Sequence, residues 1–254
     1  MDVPHQTESN HTKKTWKGYF WEFLMLFLAV FCGFLAENIR EGIADRSREK
    51  EYIESMVRDL QTDTANLSKI IKEYGTIIQK QDTLFDIFDE IDNGGNKKFV
   101  QLFQNFQGFP DFVNADGTIQ QLKNAGGFRL LKNKLAIDSI FSYTSELAKI
   151  AINTTNLTAA QTEVINFQTD FISFYTINKA KAKGFDLDKL QEQKMSLFIS
   201  QDKAVKEKLY GKLYNYSEIM KFILKVNLIP VKKRATSLII FLQKEYRLEK
   251  QTKN

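Results

Sequence analysis

Between Gly18 and Ala36 the chain reads GYFWEFLMLFLAVFCGFLA, nineteen residues in which Glu22 is the one charged side chain. At 1.5 Å per residue this stretch makes about 28 Å of helix, close to the hydrocarbon thickness of a bilayer. A core helix of a soluble protein is seldom apolar on every side for four turns and then abruptly charged. Trp16, Tyr19 and Trp21 stand where an aromatic belt would lie, beside Lys13, Lys14 and Lys17. No small-x-small cleavage site follows the run, because Phe34-Leu35-Ala36 puts a bulky ring at the wrong position. Cys32 is preceded by Phe31, where lipid-modification signals need a small residue. The stretch therefore reads as an uncleaved transmembrane anchor.

Two features inside the anchor are candidates for function. A carboxylate at the centre of a span costs about 2.5–3.5 kcal/mol, but near an end it can reach the headgroups or take a proton. Glu22 is thus either a proton-path or partner contact, or a first-turn acid favoured by the positive helix end. Ala29 and Gly33 form a small-xxx-small pair that lets a second span approach closely. Orientation is left open, since Lys13, Lys14 and Lys17 precede the span and Arg40, Arg46, Arg48 and Lys50 follow it.

Beyond Ala36 the helical pattern continues. Steps of four and three residues from Ile53 reach Val57, Leu60, Thr64, Leu67, Ile71, Tyr74, Ile78, Gln81, Phe85 and Phe88, nine of the eleven apolar. This predicts a long helix ending at DNGGN, where Gly94 and Gly95 supply a stop. A mixed section follows, in which Asp116 or Thr118 caps a short helix that Gly126 and Gly127 terminate. A second long helix is expected from about Lys134 to Ile177, carrying Leu135, Ile140, Leu147, Ile150, Leu157, Val164, Phe171 and Phe174. A third runs from about Gln201 to Arg247, with a kink or break at Pro230. Only 3 Pro and 12 Gly, with 21 Phe to fill a core, agree with long helices. The fold class is all-α: an N-terminal transmembrane helix continuing into a long-helix antiparallel bundle with a small helical insert. The expected divisions are a polar tail (1–17), the span (18–36), a membrane-proximal long helix (37–98), a short helical insert (99–133) and the remaining bundle helices (134–254). The heptads also suit a parallel coiled-coil dimer, but the bulky Tyr74, Phe85 and Phe88 favour a wider bundle.

Two segments resemble a large bacterial family of uncharacterised single-pass membrane proteins. In WEFLMLFLAVFCGFLAENIRE and REKEYIESMVRDLQTD, the residues Glu22, Gly33, Tyr52, Asp59 and Leu60 match its first pattern. In TIQQLKNAGGFRLLKNKLAIDSIFSY, Leu122, Gly126, Leu130, Leu131 and Asn133 match its second, with Gly127 as an additional glycine. The resemblance covers about residues 16–145 and implies an anchor in the inner (cell) membrane, with the long domain on its far side. It implies no activity.

The chemistry available is narrow. His5 and His11 lie in the tail and Cys32 in the span, so the domain beyond holds neither residue type. That removes Ser-His and Cys-His nucleophiles and His- or Cys-ligated metals. DEIDNGG and DFVNADGT lack the ligand rhythm of a calcium loop, with Phe112 and Lys123 standing in ligand slots of the second. No catalytic residue, cofactor or metal is assigned. Basic residues are interleaved with acids, the tightest sets being Lys232, Lys233, Arg234 and Lys179, Lys181, Lys183, so a net charge of +5 does not imply nucleic acid. Leu122, Gly126, Gly127 and Asn133 form either a tight corner or a small pocket between insert and bundle. The expected function is a non-enzymatic sensing or scaffold/assembly role. The alternatives are an accessory subunit of a larger membrane complex and a carboxylate-dependent membrane enzyme. Expected partners are membrane lipid and either a second copy or another membrane protein, with any small-molecule ligand unspecified.

Overall fold

The computed structural model describes residues 16–90, 97–124, 126–182, 184, 198–200 and 202–248. The chain divides into two compact units, Met1–Glu51 and Tyr52–Asn254. The helices are α1 (Trp16–Asp86), α2 (Lys97–Phe103), α3 (Gly117–Asn124), α4 (Lys134–Phe171), α5 (Phe174–Ala182), α6 (Lys203–Phe222) and α7 (Ile229–Glu245). Among the described residues the one β-type contact is an isolated bridge between Ile172 and Phe198. His5, His11, Lys183, Gly94 and Gly95 lie outside the described residues.

In the first unit α1 exposes its apolar side chains all round. Trp16, Trp21, Phe23, Leu26, Val30, Phe34 and Ile39 are all more than half exposed. Phe23, Phe27 and Phe31 stack in a ladder with centroids 6.3 and 5.9 Å apart, as i,i+4 spacing allows. Among the described residues, α1 is the one helix long and apolar enough to cross a membrane, and none of its apolar window is buried.

In the second unit the α1 seam keeps the predicted heptad but alternates on different rungs. Ile53, Leu60, Leu67, Tyr74, Gln81 and Phe88 are buried as expected. The intervening rungs are Met56, Asp63, Ile70 and Leu84, each lying one position before the expected residue. Val57 and Ile78 are buried beside them, whereas Thr64, Ile71 and Phe85 sit at the edge. The shift puts a carboxylate and an amide inside the bundle. Helix α1 ends at Asp86, and a 3-10 turn, Phe88–Glu90, follows it. The turn comes before the glycines because Ile87 and Phe88 are both drawn into the core.

The segment expected to be a small insert is the second leg of the bundle. Its contacts descend α1 in order. Phe99 lies 6.2 Å from Phe88, and Phe106 lies 5.9 Å from Phe85, centroid to centroid. Lower down, Ala115 bonds Asp63 and Thr118 bonds Asp59. The described residues of 97–133 thus form a strap, partly extended, that runs back along α1 from Phe88 to Asp59. Helix α4 then runs parallel to α1, and α6 and α7 come back antiparallel to both. The antiparallel register of the last leg is marked by Lys212–Glu163, Asn153–Asn227 and Asn133–Glu245 bonds. At the far end Phe99 meets Phe103, Phe171 and Phe198 at 5.7, 6.1 and 5.5 Å, an aromatic cluster that closes the core.

Helix α4 also ends earlier than the sequence predicts. Helix α4 stops at Phe171, where Ile172 turns extended and Ser173 Oγ caps α5 by accepting the Thr176 N–H. Leu135 and Phe174, expected in the core, are exposed, and Tyr143 and Phe167 are buried instead. At Pro230 the last leg neither breaks nor stays regular. A π-helical turn, Ile223–Leu228, joins α6 to α7, and Ile229 donates to Leu224 O, five residues back. The wider turn accommodates a proline that has no N–H and would crowd the preceding turn of an α-helix.

Candidate functional site

Glu22, Ala29 and Gly33 all lie in the exposed apolar stretch of α1. Helical geometry places Ala29 and Gly33 away from the Phe23–Phe27–Phe31 ladder. A Cβ added at Gly33 would meet nothing within 4 Å, so this face is open to close approach.

Leu122, Gly126, Gly127 and Asn133 come together as a corner. Gly126 has φ +64°, the left-handed conformation that ends α3. Gly127 is buried against Leu122, where a Cβ would stand 2.9 Å from Leu122 Cδ2 and 3.2 Å from its Cα. Asn133 caps α4 by accepting the Ala136 N–H at 3.1 Å and donates its amide to Glu245 Oε1 at 2.8 Å. Each of the four has a structural task here, and none lines the grooves described below.

Several buried polar side chains of the bundle bond the strap. Backbone groups outside regular helix need partners when water is excluded. Gln81 Nε2 donates to Asn105 O at 2.9 Å, and the Tyr216 hydroxyl donates to Gly108 O at 3.2 Å. Asp63 Oδ1 accepts the Ala115 N–H at 2.7 Å, and its Oδ2 accepts the Tyr143 hydroxyl at 2.6 Å. One turn earlier, Asp59 Oδ2 accepts the Thr118 N–H at 3.0 Å. The cap of α3 therefore comes from α1. Asp116, expected to cap α3 with its side chain, instead bonds Gln120 Nε2.

Burial pushes the Asp63 carboxyl above its ordinary range, while the bonds from Tyr143 and Ala115 pull it back. Burial, reinforced by the bond to Asp63, pushes the Tyr143 phenol up, so Tyr143 stays a proton donor. Each Asp63 oxygen thus accepts one hydrogen bond, one from the strap and one from α4. Asp63 and Tyr143 were missed by the sequence reading. The available signal was an aspartate on a 3-4 rung between Leu60 and Leu67.

A second feature is a groove of about 780 Å³ between α4 and α7. The i,i+4 rows of α4 supply Asp138, Ser139, Ser142 and Glu146 as one wall. The facing rows of α7 supply Lys233, Arg234 and Ser237, above a floor that includes Leu238 and Phe241. Arg234 Nη1 donates to Ser142 Oγ across the groove. Glu146 is held by Lys149 at 2.9 Å. A smaller cavity of about 220 Å³ lies between the strap and α4, beside Phe112, Asn114 and Ile150. Among the described residues no group of three His, Cys, Asp or Glu side chains is placed to hold a metal ion.

No family model, curated protein or solved structure matches this chain. The likeness to the bacterial membrane family rests on the quoted motifs alone.

Proposed function

We propose that the chain is a single-pass membrane protein of the bacterial inner membrane, whose helical bundle acts without catalysis as a sensing or scaffold domain. One observation carries the proposal: the N-terminal stretch of α1 exposes large apolar side chains on every face, with none of its apolar window buried. Each fully buried Leu or Phe side chain is worth about 1.5–3 kcal/mol, so a row of them in water is a heavy cost that lipid tails remove. A bundle outside the cytoplasm is part of the proposal, as the resemblance to the bacterial family implies.

The non-catalytic part of the reading is supported by how the buried acid is used. Asp63 ties the strap to α4 by accepting from Ala115 and Tyr143, and Asp59 accepts from Thr118 of the strap beside it. A second reading, a subunit of a larger membrane complex, is favoured by the open face at Gly33 and the carboxylate of Glu22 within the span.

Flotation of the intact chain with vesicles, resistant to alkaline extraction, is the expected result. Recovery as a compact monomer in a detergent-free supernatant would overturn the anchor. Protease accessibility of the bundle in intact spheroplasts tests the orientation, and co-purification from mild detergent separates the lone protein from the subunit.

A further inference from the structure

We infer that the α4–α7 groove binds an organic monoanion, a carboxylate or phosphodiester head carried on a short apolar body. The inference rests on the sensing reading of the bundle and gives it a ligand class. The groove presents two cations that lack the usual partner. Among the described residues neither Lys233 nor Arg234 has a carboxylate within ion-pair distance, and Arg234 spends one donor on Ser142. A guanidinium has five N–H donors in a planar fork suited to carboxylate and phosphate oxygens, so most of its capacity is unspent. The hydroxyls of Ser139 and Ser237 stand in the same lining and can donate to the same oxygens.

Charge sets the valence of the ligand. Glu146 is neutralised by Lys149, which leaves Lys233 and Arg234 against Asp138, a single net positive charge. A polyanion would meet both Asp138 and Glu146, whereas a monoanion is matched. Chemistry at the other end of the groove sets the rest of the molecule. Leu135, Leu238 and Phe241 line the groove toward the start of α4, past the Arg234–Ser142 bond, and offer an apolar seat for a short chain or ring. A volume of about 780 Å³ falls within the range of small-molecule sites.

The test is calorimetric titration of the full chain in a neutral maltoside detergent with octanoate and with the phosphodiester methyl octyl phosphate, two monoanions that distinguish the head chemistries. Octanol and octylamine serve as uncharged and cationic controls. Saturable binding of at least one anion is expected, with octanol and octylamine weaker by about tenfold or more. Arg234→Gln should weaken binding about tenfold or more, Lys233→Gln several-fold, and Arg234→Lys should recover part of the loss. Asp138→Asn should tighten both anions by a similar factor. Identical isotherms for the wild type and Arg234→Gln, equal binding of octanol, or no saturable heat with either anion would overturn the inference. The same variants are floated with vesicles in parallel, so loss of binding with retained flotation isolates the groove from the membrane reading.

Discussion

Replacing Tyr143 by Phe removes one oxygen atom from the seat of the strap, and its cost follows from the geometry. Asp63 is 1% exposed and has two bonds, at 2.7 Å from Ala115 and 2.6 Å from Tyr143. Tyr143→Phe deletes a hydrogen bond to a charged acceptor with no water to replace it, a loss of about 1.5–3 kcal/mol. For a bundle of this size each kcal/mol moves the midpoint by about 2–4 °C, so a fall of roughly 3–12 °C is expected. Asp63→Ala orphans both the Ala115 N–H and the Tyr143 hydroxyl, at about 1–3 kcal/mol each, offset in part by no longer burying a carboxylate. Once Asp63 is gone, Tyr143→Phe should cost almost nothing, because the hydroxyl it removes is already unsatisfied. The double-mutant cycle should therefore return a coupling of about 1.5–3 kcal/mol. Thermal unfolding of the full chain in detergent, followed by circular dichroism, gives the cycle. Amide exchange supplies a local check: Ala115 should lose protection in Asp63→Ala, while Thr118, held by Asp59, should not. A coupling below about 0.5 kcal/mol would show that the two residues do not act as a pair and would refute the reasoning.

Three further outcomes are expected. Gly127→Ala forces a Cβ to within 3.2 Å of the Leu122 Cα and should destabilise the bundle by about 1–3 kcal/mol in chemical denaturation. Burial holds the folded-state pKa of Asp63 above its ordinary 3.8, so its contribution to stability is complete below that value and is lost as pH rises through the folded pKa. The midpoint of the wild type relative to Asp63→Asn should accordingly improve between about pH 7 and about pH 4, and a difference that moves the other way contradicts the assignment. Ser217 Oγ is buried with no hydrogen-bond partner among the described residues, so Ser217→Ala should be neutral or stabilising by up to about 1 kcal/mol.

The sequence exposed local features more clearly than those that depend on distant partners. The corner at Gly126 and Gly127 and the cap at Asn133 are written in neighbouring residues, and each stands where its chemistry requires. The heptad of α1 was also legible through Ile53, Leu60, Leu67, Tyr74 and Phe88. Its alternate rungs were misplaced, because steps of four then three from Ile53 land on Thr64 and Ile71, whereas the buried rungs step three then four, onto Asp63 and Ile70. A carboxylate on a core rung makes sense only with Ala115 and Tyr143, which lie 52 and 80 residues away. The path of the strap was hidden for the same reason. Its direction is set by Gln81, Tyr216, Asp63 and Asp59 receiving its backbone groups, and nothing within residues 97–133 announces those partners. The groove was half visible, since Lys233 and Arg234 formed the tightest basic cluster, while the serine row of α4 carried no signal without the pairing of the helices.

The parallel course of α1 and α4 bears on how this chain reaches its native state. Two helices pointing the same way cannot be joined by a tight turn, so their pairing carries the closure entropy of everything between Asp86 and Lys134. Such non-local pairing slows folding relative to a bundle of simple hairpins. During synthesis, a nascent chain that has emerged as far as the strap can offer Asp63 the amide of Ala115, but not yet the phenol of Tyr143. The acid is left one donor short until the third leg leaves the ribosome.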